Sequence, residues 1–303
     1  MTGRRSGWRS RVTDTAVGLF SHAPDPLADT FGYPGDPGLF GPDSVTWRIM
    51  GDTSTFIGGL RALVVQAAHP EVAAGVGDHS NYRDDPLGRL SRTASYVTAT
   101  SYGSMPEVEA AIAAVRTAHR QITGVSHRDV AYSASSPGLA AWVHNSLVDS
   151  FLAAHRVYGP LPINEADADR YVSEQTRLGS MLGVSPLPET AHDLHAWLAD
   201  HPDVGPSPAG RDAILFLAET GLPLPTRVAY RLLYQAAVAT VPTRLRHAVG
   251  IRPGPAARIS GRMTIGVLRS ALGYSPAWAA ALKRSGAPRP AGIRFRTTAG
   301  VTR

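Results

Sequence analysis

The chain has 303 residues, 43% of them hydrophobic, which is enough to bury one large core or two small ones. It contains no cysteine, and this removes disulfides, thiolate-ligated haem, iron–sulfur clusters and cysteine nucleophiles together. The formal net charge of +6 rests on arginines spread along the chain, Lys283 being the single lysine, so no nucleic-acid partner is expected.

Residues 1–44 read as an N-terminal helix followed by a Pro/Gly-rich loop with Pro24, Pro26, Pro34, Pro37 and Pro42. The first residues are basic (Arg4, Arg5, Arg9, Arg11) and then weakly apolar. That pattern is too short and too polar for an export signal, so a cytoplasmic protein is expected. No run approaches the roughly 18 apolar residues of a membrane span.

Residues 45–250 read as a helical domain. A helix from Asp52 or Thr53 to about Ala68 places Phe56, Leu60, Leu63, Val64 and Ala67 on one face, and His69-Pro70 stops it. Gly58 and Gly59 inside it cost about 1 kcal/mol each relative to alanine, which suggests a bulky neighbour packing closely. After a small-residue stretch comes a helix from about Leu87 to Tyr102. Ser104-Met105-Pro106-Glu107 then reads as a capping box that opens a helix running to Gly124. Ile112, Val115, His119 and Ile122 recur there in steps of three and four, which puts His119 on the apolar stripe.

Ser136-Pro137 starts a helix to Tyr158, with His144 on the face of Ala140, Leu147, Val148 and Phe151. Further helices are expected from Asn164 to Gly183, from Thr190 to Asp200, from about Arg211 to Glu219, and from near Pro225. Residues 251–303 read as short basic helices near 261–272 and 276–285, packed on the same domain, with a tail from Gly286. The arginines from Arg244 through Arg252, Arg269 and Arg289 to Arg294, Arg296 and Arg303 could touch an anionic membrane surface; their spacing reads instead as a solvated face. No alternating strand pattern persists. The class is all-α, a multi-helix bundle whose core would enclose the ligand pocket.

Several residues could carry chemistry. A buried neutral imidazole at His119 could hold an iron centre, with its second nitrogen fixed by a carbonyl or carboxylate; the alternative is a core histidine satisfied by one hydrogen bond. His144 carries the same two readings. Arg89, Arg92 and Thr93 fall at i, i+3 and i+4, where two cations and a hydroxyl could hold haem propionates or stabilise reduced oxygen; the alternative pairs the arginines with Asp84 and Asp85. His69, Asp78 and His79 contain the two imidazoles and one carboxylate of a non-haem iron site, although at no standard spacing. Glu189-x-x-His192 occurs once, where a di-iron bundle needs the pair twice. Phosphate-cradling loops, nucleophile elbows and the zinc-protease helix motif are missing.

Taken in order, a longer set of segments resembles the MpaB-type oxygenases, which include the catalytic domain of the latex-clearing rubber oxygenases. These segments are Gln66-Ala67-Ala68-His69-Pro70, Asp78-His79-Ser80-Asn81-Tyr82-Arg83, Asp85-Pro86-Leu87-Gly88-Arg89-Leu90-Ser91-Arg92-Thr93, Ala118-His119-Arg120, Tyr132-Ser133-Ala134, Trp142-Val143-His144 and Phe151 to Gly159. The resemblance covers roughly residues 45–250. It implies an all-helical fold enclosing one b-type haem, an oxidoreductase that activates dioxygen on a small apolar substrate, and a role for an electron donor. It also implies His119 as the iron ligand, with His144 as the alternative, and Arg89 and Thr93 at the family's distal positions. Arg92 stands where the rubber-cleaving branch has a lysine able to approach the iron. A guanidinium stays protonated and is a poor ligand, so neither a lysine-ligated state nor rubber as substrate carries over. A non-catalytic haem carrier, with His119 and His144 as two axial ligands, is the rival reading.

Overall fold

The computed structural model describes residues 7–219 and 221–293. Arg4, Arg5, Arg294, Arg296 and Arg303, weighed in the sequence, lie outside the described residues. Among the described residues the chain forms fourteen α-helices and one two-stranded hairpin, so it is an all-α protein. No helix there is long and apolar enough to cross a membrane.

The most extensive interface joins α3 (Thr55–Ala67) to α7 (Pro137–Tyr158). Ser136 caps α7 by accepting from the Leu139 amide at 3.5 Å, Pro137 fills its first turn, and Gly159 ends it. Gly58 allows the crossing: a Cβ there would lie 2.6 Å from Phe151 Cδ1 and 3.1 Å from Phe151 Cα. Gly59 faces open space, with nothing within 4 Å of where its Cβ would be. Of the two glycines, only the first makes room for a bulky neighbour.

Within the same interface lies a charge pair that hydrophobic periodicity does not reveal. Arg61 Nη2 sits 2.7 Å from Asp149 Oδ2, with both side chains buried. Arg61 Nη1 also donates to Ser150 Oγ at 2.7 Å and its Nε to the Thr240 carbonyl at 3.2 Å. Burial pushes the Asp149 carboxyl up, but the Arg61 charge and the His195 hydrogen bond outweigh it, and the net shift is downward.

Around this pair, α2 (Val45–Met50) and α8 (Glu165–Leu182) pack from one side. Ser44 caps α2, and Glu174 of α8 reaches across to accept from the Val45 and Thr46 amides at 3.1 and 2.8 Å. A carboxylate at a helix N-terminus satisfies donors that have no partner within the helix. The helices α9 (Ala191–Ala199), α10 (Pro208–Ala218), α11 (Leu224–Val238) and α12 (Thr243–Ala248) add their apolar faces to the same core. The largest buried cluster runs through Val64, Val65, Trp142, Val148, Phe151, Leu152, Tyr171, Leu194, Leu198, Tyr234 and Leu245.

The two ends of the chain close on each other. α13 (Ala257–Leu272) packs on α11 and on α1 (Trp8–Phe20), and Arg269 grips Asp52 with two bonds of 2.6 and 2.8 Å. From α14 (Pro276–Ser285), buried Arg284 donates to Thr30 Oγ1, the Tyr102 carbonyl and the Asp36 carbonyl at 2.6, 2.7 and 2.8 Å.

Three details differ from the sequence expectation. The small-residue stretch after His69 is itself a helix, α4 (Pro70–His79), with Pro70 in its first turn. The helix expected to reach Gly124 ends at His119. The chain then turns into β1 (Thr123–Val125), paired antiparallel with β2 (Ala131–Ser133) in the register Thr123 to Ser133.

The paired glycines supply a stability test. We predict that Gly58→Ala lowers the urea unfolding free energy by about 1–3 kcal/mol through overpacking against Phe151. Gly59→Ala should raise it by up to about 1 kcal/mol, because helix propensity acts there alone. Equal effects at the two positions would mean that Phe151 does not set the crossing.

Candidate functional site

Two helices carry most of the sequence-predicted residues. α5 (Pro86–Tyr102) is capped by Asp85, which accepts from the Gly88 amide at 2.9 Å. α6 (Met105–His119) opens on the expected capping box, with Glu107 accepting from the Ser104 amide at 2.8 Å. Only Gly103 and Ser104 separate them. α5 and α6 pack on each other across this short connection, and the candidate arginine positions lie at the start of α5.

At that end, three arginines are treated differently. Arg92 is exposed and pairs with Asp85 at 3.1 Å, and Arg83 faces Asp212 at 3.5 Å. Arg89 is half-buried and has no carboxylate partner among the described residues. Its guanidinium lies 5.6 Å from the ring centre of Tyr82, and burial pulls its pKa below the usual arginine value. Tyr82 is itself buried, and its hydroxyl has no hydrogen-bond partner. Thr93 Oγ1 donates to the Arg89 carbonyl at 3.1 Å. Arg92 thus follows the ion-pair alternative, whereas Arg89 does not.

His119 closes α6 and is half-buried. Burial lowers its pKa, so the imidazole is neutral at pH 7, and among the described residues its ring makes no hydrogen bond. A neutral imidazole with a free lone pair on α6 and, on α5, a desolvated cation lacking an anion beside the unsatisfied Tyr82 hydroxyl are groups suited to a ligand that carries both a metal and negative charge. Haem b is such a ligand.

His144 stands elsewhere, buried between α7 and α8, with Nε2 3.1 Å from the Gln175 carbonyl. Gly179 backs the ring closely; a Cβ there would come within 3.1 Å of Nε2. The gap beside it, between Val148, Val172 and Leu194, has no room for even one water molecule, whereas small-molecule pockets enclose several hundred Å³. The geometry is that of a core histidine holding one hydrogen bond.

The proposed set of His69, Asp78 and His79 does not converge. His69 caps the start of α4 while Asp78 and His79 end it, about 14 Å apart along a ten-residue helix. Asp78 accepts from the Tyr132 hydroxyl at 2.6 Å, and His79 Nε2 lies 3.0 Å from the Thr123 carbonyl. Glu189 and His192 are exposed, and His192 pairs with Asp193 at 3.4 Å.

His69 instead meets residues that the sequence reading passed over. His201 and Asp203 approach it, so that one ligand atom from each of the three lies within 4.8 Å of the other two. On its other side, His69 Nδ1 lies 3.3 Å from Glu71 Oε2. Glu71 in turn accepts from Ser126 Oγ at 2.7 Å and pairs with Arg128. Trp142 and Trp197 wall the group, with the Trp197 ring centre 4.7 Å from that of His201. A signal was present in the sequence: His201-Pro202-Asp203 repeats the His-Pro-acid order of His69-Pro70-Glu71.

Residues 47–270 match the profile of the family described as ER-bound oxygenase mpaB/B'/rubber oxygenase, catalytic domain. Two uncharacterized proteins, one of Mycobacterium bovis and one of Mycobacterium tuberculosis, are each 32% identical to the chain over 127 residues. That match takes in 40% of this chain, and the chain spans about half (49%) of the length of these curated relatives. No solved structure matches.

The buried histidines give the protein an acid limit. Desolvation lowers His69 and His144 from 6.5 to about 4. Between those values the unfolded chain binds more protons than the folded one, so stability falls as pH falls from about 6.5 towards 4. His195, raised by its hydrogen bond to Asp149, acts with the opposite sign, but only above its ordinary value. The urea midpoint should drop between pH 7 and pH 5, and drop less in His144→Gln. A midpoint unchanged over that interval would contradict this account.

Proposed function

The chain belongs to the mpaB/rubber oxygenase catalytic-domain family, and from that membership we propose that it is a haem b-dependent oxygenase acting on a small apolar substrate with an external electron donor. Beyond the family, the proposal is supported by a neutral His119 whose ring makes no hydrogen bond among the described residues and, on the adjoining helix, an Arg89 without a carboxylate partner.

The chemistry haem supplies when bound is dioxygen activation. His119 would hold the iron through a ring nitrogen kept unprotonated by its burial. Arg89 would neutralise the carboxylates that haem b carries, an interaction strengthened by the partial exclusion of water around its guanidinium. The unpartnered Tyr82 hydroxyl offers a donor beside it, suited to negative charge that develops as oxygen is reduced, while the Thr93 hydroxyl would first have to leave the Arg89 carbonyl. Arg92, tied to Asp85 in solvent, has no part in this scheme. The carrier reading, with His119 and His144 as joint ligands, is not favoured, because His144 Nε2 faces the Gln175 carbonyl.

The test is the visible spectrum of the purified protein with a pyridine haemochrome assay. We expect a Soret band in the wild type and its loss in His119→Ala. Haem affinity should fall about tenfold in Arg89→Leu, the worth of one charged hydrogen bond. Arg92→Ala should bind haem as the wild type does. No band after haem supplementation, or a band retained in His119→Ala, would overturn the proposal.

A further inference from the structure

We propose that His69, His201 and Asp203 bind one divalent first-row transition metal, Zn²⁺ or Fe²⁺, independently of the α5–α6 site. The three groups come from distant parts of the chain, yet one ligand atom of each lies within 4.8 Å of the other two. Any point central to such a triangle is within roughly 2.8 Å of every corner. Each donor then needs to move by less than about 1 Å to reach the roughly 2.0–2.2 Å bonds of zinc to nitrogen and oxygen.

Three observations separate this group from an ordinary polar cluster. First, the donors converge without satisfying one another: Asp203 Oδ2 is 3.9 Å from His69 Nε2 and 4.0 Å from His201 Nδ1, too far for hydrogen bonds. The one bond His201 Nδ1 does accept, from the Asp203 amide, is a long 3.3 Å. Second, His69 is buried, only 3% exposed, with the nitrogen that faces the group unbonded. Third, its other nitrogen, Nδ1, is buried without a hydrogen bond and lies 3.3 Å from Glu71, which Ser126 and Arg128 anchor. A small ring rotation would give Nδ1 that carboxylate as acceptor and leave Nε2 unprotonated and aimed at the ion, the arrangement found behind metal-bound histidines generally.

Donor chemistry decides the class of ion. Two imidazoles with one carboxylate suit zinc or ferrous iron, whereas magnesium and calcium take oxygen ligands. Trp142 and Trp197 limit ring motion. Asp203 is 55% exposed, so the ion can exchange with solvent and keeps at least one position open to water or a ligand. Three protein ligands with an open position are the pattern of a reactive site, not of a closed structural one.

The experiment titrates chelator-treated, haem-free full-length protein with Co²⁺, read by its visible d–d bands, and with Zn²⁺ by calorimetry. One equivalent should bind. Affinity should fall at least about tenfold in His201→Ala and in Asp203→Asn, and about 10–100-fold in Glu71→Gln, a change that leaves all three ligands in place. Asp203→Asn is isosteric and lies at the surface, so its fold is secure; circular dichroism checks the others. His119→Ala should bind the metal as the wild type does. The absence of a stoichiometric ion, or binding that survives both His201→Ala and Asp203→Asn, overturns the inference. Metal binding without a Soret band would refute the haem proposal alone, and a Soret band without metal binding would refute this one alone.

Discussion

Arg61 and Asp149 meet at the centre of the α3–α7 crossing, and much of the remaining structure is placed by that contact. Burying a charge costs several kcal/mol, so such a pair persists only where both partners and their surroundings are held in register. Removing one partner typically costs about 3–5 kcal/mol, because the survivor is left charged and dry. Arg61 also donates to the hydroxyl of Ser150 and the carbonyl of Thr240, which ties the turn between α11 and α12 to the same point. Once the crossing is fixed, the end of α3 delivers His69 and the first turns of α7 deliver Trp142. These are one member and one wall of the histidine cluster.

The helical framework was legible because its boundaries are written in local chemistry. Ser104 with Glu107, Ser136 with Pro137, and Gly183 at a φ of 76° each mark an end, and the structure uses all three. α4 was not legible: Ala73, Ala74, Gly75 and Gly77 give no apolar stripe, and its helicity comes from packing against α10 and the hairpin. Strands of three residues are too short for alternation to register.

The candidate sites divide in the same way. Arg89, Thr93 and His119 stood out as candidates in the sequence because their positions fall on consecutive helices, joined in the structure by two residues. The fate of Arg92 was readable only as one of two alternatives, since the choice between solvent and interior depends on how α5 is rotated. His201 and Asp203 share the His-Pro-acid order with His69, but nothing local in the sequence brings the two segments together. Their neighbourhood is created by the loop after α9 returning to the end of α3, where the Gly205 amide donates to the Ala68 carbonyl at 3.1 Å. Arg61 was hidden for another reason: a cation within an apolar stripe looks like a break in the pattern until its partner is known.

The carboxylate of Glu174 on the amides of Val45 and Thr46 carries an implication for biosynthesis. A six-residue helix such as α2 has little stability of its own, since nucleation consumes most of what so few backbone bonds return. Its N-terminal cap is supplied partly by a side chain 128 residues further on. On a ribosome that emits the chain from its amino end, this segment must wait unformed until α8 has emerged and docked. The last contacts over Asp36, Asp52 and Tyr102 then come from Arg269 and Arg284, later still. The amino-terminal third is thus synthesised first and completed last, which leaves Trp47 and its apolar neighbours in want of cover during translation.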